Sequence, residues 1–269
     1  MQRGFVSIVL LGILGLVASP ASAADQIDVA PLDQLLHATV HEDQVDYHAV
    51  AQQRQQLDAY LNQAKDLRPE LFPTAQAQMA FWINTYNATV IKAVIDHAPV
   101  RSVKEISGFF DKLRYPVAGQ QLTLNEIEAR GRALGDSRIH YGIVCASSSC
   151  PPIRAEAYQP DRVIQQLEDQ ARRFLNNPSQ GVRVDGTTLW ASKIFDWYAA
   201  DFMPSGRFGV LHRPQTADVA PVILPYLEPA LAQQVQAQPL KLKFMAYDWT
   251  LNHIRDSHSF SGGPPGTPP

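Results

Sequence analysis

Residues 75–97 limit the fold more than any other stretch. They carry Met79, Phe81, Trp82, Ile83, Tyr86, Val90, Ile91, Val94 and Ile95. At a helical repeat these side chains cover nearly every face, and a helix that is apolar all round belongs in an interior. Thr74, just after Pro73, can cap its first turn. The rest of the chain must therefore wrap this helix. Asn84 and Asn87 stand out inside it, three apart and so on one face. A buried amide left unbonded costs about 1–3 kcal/mol, so something polar must meet them. That partner is a neighbouring loop backbone, or else an active-site group or substrate, and the two asparagines are candidate substrate-binding or orienting residues.

The flanking sequence supplies smaller elements. Amphipathic helices are expected at 32–40 and 47–64, the second with Val50, Leu57, Tyr60 and Leu61 as its apolar stripe, and residues 41–47 read as a solvated turn between them. Residues 117–122 suit a small hairpin about Gly119. Thr123 and Glu126 form a T-x-x-E capping box that starts a helix to about residue 134, which leaves Glu128 without a structural duty. A helix is expected at 161–176, a hairpin with a D-G turn at 182–190, a helix from Ser192 to 202, and helical pieces at 219–226 and 229–235. Residues 240–248 alternate in polarity as a half-buried strand does. The sum is an α+β domain over residues 24–256, with several helices around a small, mostly antiparallel sheet, and a Gly/Pro-rich tail at 257–269 expected to be disordered.

Chemistry concentrates in residues 136–152, D-S-R-I-H-Y-G-I-V-C-A-S-S-S-C-P-P, which hold both cysteines, Cys145 and Cys150, and His140. Residues 139–145 are apolar and β-prone, as in a short buried strand. Its alternation would send His140 to one face and Cys145 to the other. Residues 146–149 are small and polar, a loop that lets a substrate approach closely, and Pro151-Pro152 cannot continue a sheet ladder.

The amino terminus bears on compartment. Arg3 precedes an apolar run at 5–17, and Ala21-Ser22-Ala23 is a small-residue cleavage signal, the three-part pattern of a secretory signal peptide. The run is short for a membrane span, which takes about 20 apolar residues. Cleavage after Ala23 leaves residues 24–269 in the periplasm or outside the cell, with no later stretch fit to cross a bilayer. Loss of Arg3 takes the formal net charge from -3 to -4. A mildly acidic chain without Lys/Arg clusters has no electrostatic pull toward nucleic acid.

Five pieces taken in order resemble the family catalogued as domain of unknown function 547. They are residues 80–88 (A-F-W-I-N-T-Y-N-A), 122–128 (L-T-L-N-E-I-E), 138–151, 194–198 (I-F-D-W-Y) with Asp201-Phe202, and 247–252 (Y-D-W-T-L-N). The resemblance spans about residues 40–252. The sequence departs from the usual pattern at Gly142, where Ala is usual, at Thr250, where Ser is usual, and at Ala129-Arg130. The resemblance implies that Asn84, Glu128, His140 and Cys145 belong to the recurring pattern. It also implies, from plant members that carry an acid at the position of Cys150, that Cys145 has no obligate disulfide partner.

A cysteine nucleophile needs a base to form thiolate and a third group to orient that base. Cys145, His140 and Glu128 supply those residue types; Asn84 or Asn87 could orient the imidazole or donate to an oxyanion, with Ser147 and Ser149 in the adjoining loop. The reading is a secreted or periplasmic thiol-dependent hydrolase or acyltransferase, cysteine-peptidase-like, acting on a peptide or small amide. The alternative is a non-catalytic peptide or small-ligand binding module with a structural Cys145–Cys150 disulfide, which an even cysteine count in an exported chain favours. C-x4-C is not the C-x-x-C of thiol oxidoreductases. His140 and the cysteines lack a recognised zinc spacing, the serines lack a G-x-S-x-G frame, and phosphate-loop and dinucleotide fingerprints are missing, so neither metal nor cofactor is expected. His37, His41, His48, His97, His212, His253 and His258 read as surface or helix-end residues. By analogy alone the architecture compares with papain and transglutaminase folds, though His before Cys within five residues is not their order.

Overall fold

The computed structural model describes residues 27–203 and 213–254. Residues 1–23, read above as a signal peptide, and the tail 257–269 lie outside the described residues. The chain runs through α1 (Ala30–Thr39), a two-residue hairpin of β1 (Val40–His41) and β2 (Gln44–Val45), α2 (Tyr47–Gln52), α3 (Arg54–Ala64) and the long α4 (Ala75–Asp96). The hairpin of β3 (Tyr115–Val117) and β4 (Gln120–Leu122) follows, then α5 (Leu124–Arg132), α6 (Ile139–Gly142) and α7 (Val163–Leu175). After β5 (Val182–Asp185) and β6 (Thr188–Ala191) come α8 (Ile194–Trp197), α9 (Ala199–Phe202), α10 (Thr216–Ile223), α11 (Pro229–Ala237) and β7 (Lys241–Phe244).

The apolar helix is the hub. The α4 helix is capped by the Thr74 side chain, is buried over most of its length, and packs against α2, α3, α5, α6 and α7. One core gathers around it; a second forms from Phe174, Leu189, Phe195, Val219 and their neighbours between α7 and the three-stranded sheet. The Thr123–Glu126 capping box forms at the head of α5 as read from the sequence. The expected helix at 47–64 breaks at Gln53, whose backbone leaves helical geometry. Residues 41–47 are more than a turn: Val45 and Tyr47 are buried, and Asp46 caps α2. The helix expected from Ser192 is also two short pieces, α8 and α9.

Among the described residues the strands make three small sheets rather than one. Two are antiparallel hairpins, and in the third β6 pairs antiparallel with β5 and parallel with β7. A parallel pair needs a long crossover, and the chain between β6 and β7 supplies one.

The largest departure from the sequence reading is at residues 139–145. The expected strand is instead a helical turn, α6, followed by an extended exit at Ile143. All four residues of α6 are buried, and they bury in different directions. Ile139 enters the first core, Tyr141 enters the second, and His140 faces a cavity. Two faces of a strand cannot serve three environments, and a helical turn can. The Asp136 side chain accepts the Arg138 N–H just ahead of the turn, so packing and a local side-chain-to-backbone bond override β-propensity.

Candidate functional site

The exit from α6 is held from α4. The Asn87 side chain donates to the Gly142 carbonyl at 2.8 Å and accepts the Val144 N–H at 2.9 Å. One turn earlier, Asn84 makes the same double bond to Tyr158, donating to its carbonyl and accepting its N–H, both at 2.8 Å. Each amide replaces a strand partner for a buried loop. The polar groups facing these asparagines are thus loop backbone. Both amides place the segments that carry the site, and neither lines the cavity shared by His140 and Cys145.

Beyond that grip the chain bends at Ala146, whose φ is 61°. Residues 146–149 lie beside 248–252. Ser148 N–H donates to the Thr250 carbonyl, Asn252 N–H to the Ala146 carbonyl, and Asp248 N–H to the Ser149 hydroxyl at 2.8 Å. Ser149 is therefore a strut of the loop. Cys145 and Cys150 are joined in a disulfide with Cα atoms 6.2 Å apart. Cys145 is partly exposed and Cys150 is buried. The Tyr247 hydroxyl lies 3.1 Å from Cys145 Sγ and 3.2 Å from Cys150 Sγ, and the buried Ser147 hydroxyl lies 3.1 Å from both Cys145 Sγ and the Tyr247 oxygen.

The disulfide forms part of the wall of a cavity of about 340 Å³. His140 and Glu128 line it as well, with Tyr86, Trp197, Tyr198, Tyr247 and Trp249. The fold so brings together the three residues singled out for thiol chemistry, Cys145, His140 and Glu128. Glu128, however, is not the acid on the histidine. His140 Nε2 is 2.8 Å from Asp201 Oδ2, and Asp201 is held in turn by two bonds from Arg132, at 2.5 and 3.1 Å. The imidazole stacks on Tyr198 and Phe202, with ring centroids 4.2 and 5.0 Å away. With Nε2 given to Asp201, Nδ1 is left without a partner among the described residues. An Asp201 that accepts from Nε2–H selects the tautomer whose Nδ1 carries the lone pair.

Burial sets the charge states here. Burial pushes His140 down to about 4, against the hydrogen bond and charge of Asp201. Burial raises Glu128, partly offset by a hydrogen bond from Tyr198 and the Arg132 charge. Burial also raises Asp201, but bonds from Arg132 and His140 outweigh it and hold that carboxyl below the usual range. Near neutral pH the imidazole is therefore neutral, with its lone pair open to a proton, but it is a weaker base than an exposed histidine, and Asp201 is the group that counters this loss.

A stability prediction follows from His140. In the unfolded chain it titrates near 6.5 and in the fold near 4, so between those values the unfolded chain holds the extra proton. Stability is complete above about pH 6.5 and falls toward pH 4, by up to about 3 kcal/mol from this residue. Glu128 acts in the opposite sense, losing stability as pH rises through its raised range. Urea midpoints at pH 7 and 4.5 measure the sum. His140→Asn is expected to shrink the loss on acidification, and a variant with the wild-type pH slope would refute the assignment.

Asp201 and Tyr247 were not singled out from the sequence, although both lie within the pieces that resemble the family, Asp201-Phe202 and 247–252. Among the described residues, no group of three His, Cys, Asp or Glu is placed to hold a metal ion, and no helix is long and apolar enough to cross a membrane. Fold and site together define an α+β domain with a disulfide-walled, aromatic pocket backed by a His–Asp pair. Residues 72–175, from just ahead of α4 to the end of α7, match the family model described as "Protein of unknown function, DUF547", and over that stretch the chain is similar to that family. No curated protein and no solved structure matches the chain.

Proposed function

We propose that the pocket is a thiol-dependent acyl-transfer site of an exported protein, acting on a peptide or small amide once the Cys145–Cys150 bond is open. The observation that carries this reading is the Asp201–His140 pair in the cavity that Cys145 lines. A thiol reductant supplies two electrons and leaves Cys145 and Cys150 as thiols. His140 Nδ1 takes the Cys145 proton, the thiolate attacks the carbonyl carbon, and the imidazolium returns the proton to the departing amine. Water or a second amine then resolves the thioester. Asp201 keeps the ring oriented and stabilises its charged form. The analogy with papain-like and transglutaminase-like enzymes rests on this arrangement of roles, not on a match of fold. Export rests on the pattern at residues 1–23.

A second reading, a binding module with a structural disulfide, is favoured by the disulfide itself, which occupies Cys145 Sγ. Iodoacetamide labelling read by intact mass and peptide mapping separates the two. Under native, non-reducing conditions neither cysteine is expected to label. After mild reduction, the acyl-transfer reading expects Cys145 to label faster than an ordinary thiol and His140→Ala to abolish that advantage. Reduced Cys145 that labels at an ordinary rate, indifferent to His140, would leave only the binding module.

A further inference from the structure

The cavity has an unequal balance of charge. Glu128 lines it and Asp201 stands behind His140, while Arg132 is the one guanidinium that serves both, 2.5 Å from Asp201 and 3.8 Å from Glu128. With His140 neutral near pH 7, the cation nearest Glu128 among the described residues is Arg132, 3.8 Å away and already bonded to Asp201, while Lys104 lies over Trp249. A carboxylate in such a place gains from a second positive charge, because Coulomb attraction is stronger away from bulk water.

The walls suit a cation that is only weakly hydrated. Trp197, Tyr247 and Trp249 stand together, with centroids 4.7 Å apart for Trp197–Tyr247 and Tyr247–Trp249 and 6.0 Å for Trp197–Trp249. The chain already lays its own cations on rings of this lining: Lys104 Nζ is 4.4 Å from the Trp249 centroid, and the Arg132 guanidinium carbon is 4.9 Å from that of Tyr198. Among the described residues no cation covers Trp197 or Tyr247, and Trp197, at 45% exposed, is one of the two exposed large hydrophobic side chains. Aromatic faces beside a carboxylate are the usual surroundings of bound organic ammonium groups.

We infer that this cavity takes a ligand bearing an organic ammonium group, with Glu128 as its counter-charge and Trp197 and Tyr247 as the faces it lies against. The inference deepens the reading of the pocket as a peptide or amide site, and rests on it in that both concern one cavity: the ammonium is the handle by which the substrate is held. A cavity of about 340 Å³ accommodates such a head with a short carbon chain.

The test is a tryptophan-fluorescence titration of the full chain with the disulfide closed, using two isosteric pairs. Choline is compared with 3,3-dimethyl-1-butanol, and n-butylammonium with 1-butanol. The expected result is a saturable change with a cation and about tenfold weaker binding of its neutral partner. The pair with the larger ratio tells a trimethylammonium head from a lysine-like amine. Glu128→Gln is expected to weaken the cation about tenfold and to narrow the ratio. Neutral partners that bind as tightly as the cations, or no saturable response to either cation, overturn the inference. Charge selectivity is read in the unaltered protein, so a poorly folding variant does not blunt the test. Because Cys145 is oxidised throughout, the outcome is independent of the alkylation experiment: ammonium binding can stand with an inert thiol, and a reactive thiol can stand without it.

Discussion

Replacement of Asp201 by asparagine is expected to slow alkylation of reduced Cys145 by about a hundredfold at neutral pH, and to slow any acyl transfer at least as much. The carboxylate accepts from His140 Nε2 at 2.8 Å, which keeps the lone pair on Nδ1. An asparagine can instead present its NH2 group to Nε2, moving the ring proton to Nδ1 and removing the base. In a serine-protease triad the same kind of change costs about 10⁴ in turnover through the wrong tautomer. The substitution also removes the Arg132 Nε bond to Oδ2, while the amide oxygen can still accept from Arg132 Nη2 and the 3.8 Å contact of Arg132 with Glu128 remains. Rates should therefore be compared at matched thermal stability, and their pH profile should lose the limb set by His140. A rate within about threefold of wild type would show that Asp201 does not serve the thiol.

Asn87→Ala is expected to destabilise the protein by about 3 kcal/mol, measured by urea unfolding. The side chain meets the Gly142 carbonyl and the Val144 N–H, both in buried residues where water is not at hand to replace it. Its loss orphans one acceptor and one donor, each worth about 1–3 kcal/mol when buried without a partner. Asn87→Asp keeps the acceptor for Val144 and gives up the donor to Gly142, so a charged carboxylate is buried against a carbonyl. That variant is expected to be no better than alanine near neutral pH and to recover on acidification. A loss below about 1 kcal/mol for Asn87→Ala would mean that the exit of α6 is held by packing alone.

What could be read from the sequence was what local chemistry decides. The capping box at Thr123, the Thr74 cap, the D-G hairpin and the burial of α4 each depend on residues within a few positions of one another, and each is present. The turn at Ile139–Gly142 was misread because its conformation is set by two cores and a cavity that no window of seven residues contains. The same holds for the parallel pairing of β6 with β7, which depends on a crossover. In the site, Cys145, His140 and Glu128 were recognisable by type, and the cavity does gather them. Asp201 was not recognisable in this way, because it lies 61 residues from His140 and an acid near an aromatic pair has many ordinary uses. The asparagines were legible as buried and as needing a partner, but which partner is a tertiary fact.

The ladder between residues 146–149 and 248–252 has a consequence for the order in which the molecule is made. Cys145 and Cys150 are separated by five positions and can meet as soon as both have left the ribosome. Tyr247, which covers both sulfurs, arrives about a hundred residues later. Throughout that interval the two thiols lack the aromatic cover that closes over them in the finished fold. The disulfide can therefore form before Tyr247 is in place, and the later-made segment closes over a bond already present, with Cys145 the more exposed of its two cysteines for a reductant to reach.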